Sequence, residues 1–252
     1  MTNDALLELF RAREGIICAV GAGGKKSTLY NLVARHPGRV ALTATVFMTR
    51  FPEHLGLTPV VAEESELATA IAPHAHASKL GFAAPSAKPD RYAGIEPELV
   101  SQLHAQTGRD ATFVKADGAR MRWIKAPREG EPVLPADCST VICVSSAHAL
   151  HEPLSDRVAH RPEHLQAVTG LQPGEIIEPE HLARLMVSDS GMLKGSSGRA
   201  VVPVINMVDD ARREGLARSA AELALAETNR FERVILASMR TPNQPVVAVV
   251  ER

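Results

Sequence analysis

The chain has 252 residues, and its 28 Lys and Arg against 29 Asp and Glu leave a formal net charge of -1. This length buries a hydrophobic core without disulfide or metal support. Near-neutral charge excludes a strong field for nucleic acid or anionic lipid, and aromatic residues at 4% are too few for base-stacking platforms. No apolar run approaches the roughly 20 residues that cross a bilayer. We therefore expect a cytoplasmic protein whose partners are neither nucleic acid nor a membrane.

Short apolar runs alternate with longer amphipathic stretches along the chain. Strands are predicted at 16–20, 39–43, 111–116, 139–145, 200–205, 232–237 and 246–250. Helices are predicted at 3–13, 25–36, 63–72, 96–106, 162–169, 179–188 and 210–229. This alternation is typical of parallel strands joined by crossover helices, and several runs are apolar on both faces. We expect a three-layer α/β fold, P-loop NTPase-like, with helices on both faces of a mostly parallel sheet.

Two stretches lack this alternation. Residues 74–95 are rich in Ala, Pro, Gly and Lys, and residues 118–137 carry several prolines among mixed charges. Both compositions predict long ordered loops near a functional edge. Because no change in composition marks a linker, we expect a single domain over 1–252 with a helical insertion around 147–195.

The most informative motif is IICAVGAGGKKST at 16–28, in which an apolar strand runs through glycines into a helix. Glycines let backbone N–H groups face inward, and a helix N-terminus adds the positive end of its dipole. The motif therefore predicts a nucleotide-phosphate site with Lys25 on the β and γ phosphates. The residues assigned to it are Gly21, Ala22, Gly23, Gly24, Lys25, Lys26, Ser27 and Thr28.

The motif departs from the full GxxxxGK[ST] pattern and keeps only GxxGK. The position that normally supplies a hydroxyl to Mg²⁺ is Lys26, and an ammonium group cannot ligate a cation. Ser27 or Thr28 then takes over, or the metal is held differently, or hydrolysis is impaired. Asp117 follows an apolar strand, where phosphate-loop enzymes keep a carboxylate for Mg²⁺ or its water shell. We predict Lys25 and Asp117 as catalytic residues and Ser27 and Asp117 as metal ligands.

A second nucleotide element is predicted at the end of the strand at 200–205. Asn206 and Asp209 match the NKxD motif by which phosphate-loop proteins read guanine, while Met207 stands where that motif has Lys. A carboxylate can accept hydrogen bonds from the base, and a Met supplies an apolar stem against its ring. An NxxD after a strand is also a common helix cap. The predicted nucleotide is GTP or ATP.

Further candidate residues are polar side chains near predicted strand ends and loops. The loop after Asp117 carries four cations suited to phosphate or carboxylate oxygens, or else forms a solvated basic loop balanced by Glu129 and Glu131. Two hydroxyls follow the second strand and could reach a γ-phosphate or a metal, or could be edge residues. These anion-binding candidates are Arg120, Arg122, Lys125, Arg128, Thr43 and Thr45. Structural or surface roles are favoured for the histidines at 148, 151, 160 and 164, which lack cysteine partners for zinc.

Several segments, taken in order over most of the chain, resemble the YqeC family. They are GAGGKKST, TATVFMTRFPE, ADGARMRWIKAPREGEPVLP, HRPEHLQAVTGLQPGEII, GMLKG and VVPVINMVDD. The resemblance implies a nucleotide-binding accessory protein and NTPase that acts in the maturation of a selenium-dependent molybdenum hydroxylase or its cofactor. It implies the molybdenum cofactor and that hydroxylase as partners.

The chain departs from the family pattern at four positions. Where the family has GAGGKT, EADGA, HEPVIP and NKxD, this chain has Lys26, Lys115, Gly130 and Met207. Exchanging a Thr and a Glu for two lysines disfavours Mg²⁺-dependent hydrolysis more than phosphate binding. The alternative is a catalytically silent module that binds molybdopterin cofactor or the client hydroxylase through the cationic loop 118–135. A third hypothesis is an ATP-dependent ligase or kinase, since its short GxxGK loop also resembles that of amide ligases.

Overall fold

The computed structural model describes residues 1–241 and 243–252, and these form seven α-helices and eleven strands. The helices are α1 (Asn3–Leu9), α2 (Lys25–Arg35), α3 (Glu64–Ile71), α4 (Pro97–Thr107), α5 (Pro162–Thr169), α6 (Pro179–Val187) and α7 (Ala211–Glu227). The strands are β1 (Gly15–Gly21), β2 (Val40–Ala44), β3 (Met48–Thr49), β4 (Thr58–Val61), β5 (Lys79–Ala83), β6 (Arg91–Tyr92), β7 (Ala111–Lys115), β8 (Cys138–Ser146), β9 (Ala200–Asn206), β10 (Arg233–Ala237) and β11 (Val246–Glu251). All predicted helices and strands are present, with small shifts at their ends.

Nine of the strands form one sheet in the order β11-β10-β9-β8-β1-β7-β2-β5-β4, and β3 pairs with β6 separately. The pairings β1 with β7, β2 with β7 and β5, β4 with β5, and β9 with β10 are parallel, whereas β11 runs antiparallel to β10. The predicted three-layer α/β fold with a mostly parallel sheet is confirmed. No helix among the described residues is long and apolar enough to cross a membrane.

The sheet has two more strands than the sequence predicts. The prediction of a loop over 74–95 was wrong, because β5 and β6 lie within that range. Four of the five residues of β5 are buried, and its Gly81 accommodates the Phe51 ring, which a Cβ would approach within 2.8 Å. Short apolar runs of this kind lack a readable period. The predicted loop at 118–137 does lack helix and strand elements.

The contacts of the chain divide it into two compact units. The first comprises residues 1–19, 28–117 and 133–140. There Ala111 of β7 pairs with Gly15 on one side and Val40 on the other, and the fully buried rings of Phe82 and Phe113 belong to its core. Because parallel strands share a direction, the carboxyl ends of β2 and β7 lie at the same sheet edge.

The second unit comprises residues 20–27, 118–132 and 141–252. It contains the parallel pair β9 and β10, with α7 packed against α6 and β10. The N-terminus of α7 is capped by Asp210, whose side chain accepts from the Arg213 amide at 2.8 Å. α7 therefore begins directly after the predicted motif, which runs from Asn206 to Asp209.

Candidate functional site

The glycine loop lies between β1 and α2 and adopts a backbone that only glycine accepts readily. Gly21, Gly23 and Gly24 have φ angles of 92°, 77° and 133°. A Cβ on Gly23 would come within 2.8 Å of both the Ser146 nitrogen and the Trp123 carbonyl. Neither the φ angles nor the space permits a side chain, so the loop needs glycine for both reasons.

Two loop amides are held by other backbone groups of the same unit. The Ala22 N–H donates to the Val144 carbonyl at 2.8 Å, and the Gly23 N–H donates to the Arg122 carbonyl at 3.0 Å. These bonds join the glycine loop to β8 and to the cationic segment, which comprises residues 118–132. They leave the start of α2, with the positive end of its dipole, as the part of the loop suited to a phosphate group.

Lys25, the first residue of α2, is folded back on its own loop. It is only 6% exposed, and its Nζ donates to the Gly21 carbonyl. Lys26 and Ser27 follow in the same helical turn and are half-buried, while Thr28 is buried. The first turn of α2 therefore carries an ammonium group inside the loop and a hydroxyl two residues later.

Asn206 braces the glycine loop from the end of β9. Its Nδ2 donates to the Gly23 carbonyl at 2.8 Å, and its Oδ1 accepts from the Met239 amide at 3.0 Å. A Cβ on Gly24 would overlap the Asn206 side chain. The side chain, 2% exposed, thus joins the loop to the turn after β10 with both of its polar atoms.

Asp209, three residues after Asn206, accepts two side-chain hydrogen bonds. Ser238 Oγ donates to Oδ1 at 2.7 Å, and His148 Nε2 lies 3.0 Å from Oδ2. The Ser238 hydrogen bond, opposed by partial burial and aided by His148 and Arg213, holds the pKa of Asp209 below its ordinary value. An ionised carboxylate at neutral pH accepts hydrogen bonds from a ligand that presents two donors.

A pocket of about 310 Å³ opens beside this carboxylate. It is lined by Val208, Asp209, Ser238, Thr241, Gln244, Val246 and Val247. Its volume is at the lower end of small-molecule sites. Nearby, Met207 takes a left-handed φ of 60° and its Sδ accepts from Ser146 Oγ at 3.1 Å. Backbone strain of this kind clusters at ligand sites.

The four cations of segment 118–132 differ in their surroundings. Lys125 is 2% exposed, and its Nζ donates to Glu131 Oε2 at 2.7 Å and to the Gly118 carbonyl at 2.9 Å. Arg120 and Arg128 are exposed, and Arg122 is half-buried. Lys125 is therefore a buried ion-pair partner, whereas Arg120 and Arg128 present charge at the surface.

The remaining predicted residues, Thr43, Thr45 and Asp117, belong to the first unit. Thr43 Oγ1 donates to the Phe82 carbonyl and Thr45 Oγ1 to the Val133 carbonyl, each at 2.7 Å. Lys115 Nζ donates to the Phe47 and Asp117 carbonyls at 2.9 and 2.8 Å. Asp117 is 1% exposed. Roles for Thr43, Thr45 and Asp117 in anion or metal binding stay predictions.

Four residues of the second unit were not among the predicted binding or catalytic residues: His148, Ser238, His160 and Arg161. His148 contacts Asp209 and also lies edge-on to Trp123, with ring centroids 5.6 Å apart. Ser238 ends up beside Asp209 because β9 and β10 are adjacent parallel strands. The only sequence signal for Ser238 is its place directly after a strand.

These features place the chain in the class of three-layer α/β proteins with a glycine-rich turn between a buried strand and a helix. The chain belongs to the YqeC family, since the family model described as "YqeC protein" matches residues 17–163. It is similar to the "Uncharacterized protein YqeC" of Escherichia coli (strain K12), with 32% identity over 188 residues that cover 72% of this chain and 71% of that protein. No solved structure matches the chain.

Proposed function

We propose that the chain binds a purine nucleoside triphosphate, GTP or ATP, with its phosphates at the glycine loop and its base beside Asp209. The observation that carries this proposal is the position of Asn206, which joins Gly23 of the loop to Met239 after β10. Asp209 contacts Ser238 of that same turn. One side chain thus connects the glycine loop to the turn whose Ser238 lines the pocket beside Asp209, and this supports a single ligand that reaches both.

The chemistry of the glycine loop and of the pocket beside Asp209 supports a nucleotide over an unrelated anion. The buried Lys25 ammonium and the N-terminus of α2 favour negative charge. An ionised Asp209 accepts from the N1–H and exocyclic amine of guanine, whereas adenine offers no N1–H donor. We therefore expect tighter binding of GTP than of ATP.

Mg²⁺ is the ion that accompanies nucleoside triphosphates, and the glycine loop fits it incompletely. Mg²⁺ prefers oxygen ligands, and Lys26 supplies none. Ser27, half-buried in the first turn of α2, carries the hydroxyl that would ligate the ion. When bound, Mg²⁺ would neutralise charge on the β and γ phosphates. Lys26 would itself supply a positive charge beside the phosphates. We therefore expect nucleotide binding to persist without Mg²⁺ and hydrolysis to be slow.

Membership in the YqeC family extends the proposal to a cellular role. We infer that the nucleotide-bound chain serves the maturation of a selenium-dependent molybdenum hydroxylase or its cofactor. This inference rests on the family resemblance. Its test compares molybdenum and selenium in the hydroxylase purified from cells that carry either the native chain or Lys25→Ala.

Nucleotide binding is tested with fluorescent GTP and ATP, each with and without Mg²⁺. Lys25→Ala should weaken binding of both at least about tenfold, the equivalent of one charged hydrogen bond. Lys88→Ala is the matched control, because Lys88 is exposed and lies over the Phe47 ring, 3.7 Å from its centroid. Equal affinities for the native chain and Lys25→Ala would refute the assignment. Phosphate release measured in parallel separates a hydrolase from a silent binding module.

A further inference from the structure

A second cluster of charges in the second unit forms where two chain segments run side by side. The Trp123 N–H donates to the Val158 carbonyl at 2.9 Å, and the His160 N–H donates to the Ile124 carbonyl at 3.0 Å. Ile124 and Ala159 form an isolated parallel bridge. This pairing brings the cationic segment alongside His160 and Arg161, which directly precede α5.

Glu131 is the centre of this cluster and is shared by three cations. Lys125 Nζ lies 2.7 Å from Oε2, whereas Arg128 Nε and Arg161 Nη1 lie 3.6 and 3.5 Å from Oε1. Only the Lys125 distance is a hydrogen bond. Glu131 therefore neutralises Lys125, while the two guanidinium groups approach one carboxylate oxygen without a hydrogen bond to it.

Arg161 combines a buried donor that lacks a hydrogen bond within the described part of the chain with a left-handed backbone conformation. Its Nη1 is buried and makes no hydrogen bond to any described residue, and its backbone is left-handed with a φ of 58°. A buried, unsatisfied donor on a charged group costs stability, and non-glycine left-handed backbone adds strain. Such costs persist mainly where a ligand or a function compensates them.

The charges around the buried His160 imidazole are mostly positive. His160 is 7% exposed, and burial lowers its pKa to about 4, helped by Arg161, Lys125 and Arg120 and opposed by Glu131. The imidazole is thus neutral at pH 7, and positive charge exceeds negative charge around it. A neutral imidazole in such a field can donate a hydrogen bond to an anion without adding to the repulsion among the cations.

We propose that Arg128, Arg161 and His160 form a binding site for the phosphoryl group of a second ligand, separate from the nucleotide. Guanidinium groups match phosphate oxygens because their planar donors bind two oxygens at once. A phosphate dianion would supply hydrogen-bond acceptors to Arg161 Nη1 and balance the excess positive charge. A phosphate monoester is the ligand class that meets both requirements.

The test follows the His160 imidazole signals by NMR in the full chain while inorganic phosphate or glycerol 3-phosphate is added, with chloride at matched ionic strength. Saturable shifts with both phosphates and none with chloride are expected. Arg161→Gln and Arg128→Gln should each weaken phosphate binding at least about tenfold, as for loss of one charged hydrogen bond. Arg218→Gln is the control, since Arg218 forms a one-to-one pair with Glu214 at 3.0 Å on α7.

Three outcomes would overturn this proposal. The first is no saturable shift in the native chain, and the second is equal affinity in the native chain and in both arginine variants. Arg128 is more exposed than Arg161, with side-chain exposures of 56% and 29%, so Arg128→Gln keeps the test valid if Arg161→Gln fails to fold. The third is a His160 shift caused by GTP alone and lost in Lys25→Ala, because the cluster would then serve the bound nucleotide.

Discussion

The Asn206 side chain donates to the Gly23 carbonyl at 2.8 Å, although the two residues lie 183 positions apart. The same side chain accepts from the Met239 amide at 3.0 Å. Since Asn206 is buried, both hydrogen bonds are shielded from water. The glycine loop and the turn after β10, whose Ser238 contacts Asp209, are thus connected through one amide side chain.

Replacing Asn206 should therefore destabilise the second unit and weaken nucleotide binding together. Asn206→Ala removes both buried hydrogen bonds, at an expected cost of about 1–3 kcal/mol in the free energy of unfolding. Urea denaturation measures this cost. Asn3→Ala is the control, because Asn3 is exposed in the first turn of α1 and the substitution should cost less than about 0.5 kcal/mol. Equal stability of the two variants would contradict the bracing role.

Two glycine substitutions should have opposite signs. Gly24→Ala places a Cβ in the Asn206 side chain at a φ of 133°, so we expect a loss of about 1–3 kcal/mol. Gly215→Ala in α7 meets nothing within 4 Å, and it should add about 0.5–1 kcal/mol through helix propensity. Thermal denaturation of both variants checks the signs, and stabilisation by Gly24→Ala would show that the loop backbone is not as described.

Acid titration of Asp209 should depend on Ser238. Because the folded-state pKa of Asp209 is below its ordinary value, its contribution to stability is present above the unfolded pKa and is lost as pH falls through the folded pKa. Ser238→Ala removes the largest cause, so the carboxyl should titrate at higher pH, and the loss of stability should be smaller and complete at a higher pH. Carboxyl ¹³C NMR follows this directly. Ser190→Ala, an exposed serine elsewhere, should leave the Asp209 titration unchanged.

The buried pair of Lys125 and Glu131 should be costly to break from one side. Glu131→Gln leaves the Lys125 ammonium, 2% exposed, without its counter-charge, and we expect a loss of about 3–5 kcal/mol. The comparison is Glu251→Gln, which removes an exposed pair with Arg233 at 3.9 Å and should cost less than about 1 kcal/mol. Urea unfolding of both variants gives the difference, and similar costs would argue against burial of the Lys125 pair.

His160 should make stability fall at mildly acidic pH. Its folded-state pKa of about 4 lies below the ordinary value of 6.5, so the unfolded chain binds a proton first as pH falls. Stability should decrease between pH 6.5 and about 4 and be unaffected by this group above that window. His160→Gln should flatten the decrease. His76→Gln, which changes an exposed histidine, should leave it intact.

Much of the fold could be predicted from the sequence because the signals are local. The apolar runs at β1 and β7 and the amphipathic period of α4 and α6 indicate their own secondary structure. β4 and β5 were missed because short strands between Pro and Gly lack a period long enough to read. β5 pairs with β2 and β4 pairs with β5, and these pairings, which only the folded sheet provides, stabilise the two strands.

The candidate site was predictable only in part, for the same reason. The glycines and Lys25 stand next to one another in the chain, so their motif is visible. Ser238 and His148 carry no motif, yet both contact Asp209, because adjacent strands bring distant residues to one carboxylate. Nor does the sequence distinguish a buried Lys125 from an exposed Arg128 three residues later.

By itself, the sequence determined the alternation of strands and helices, the glycine turn and the family to which the chain belongs, since each depends on residues that are close neighbours in the chain. Only the tertiary structure decided that Asn206 holds the glycine loop, that Ser238 and His148 flank Asp209, and that Arg161 joins Arg128 around Glu131. Those contacts depend on strand order and on the pairing of distant segments. Hydrogen bonds and charges act over a few ångströms of space, whatever the separation along the chain.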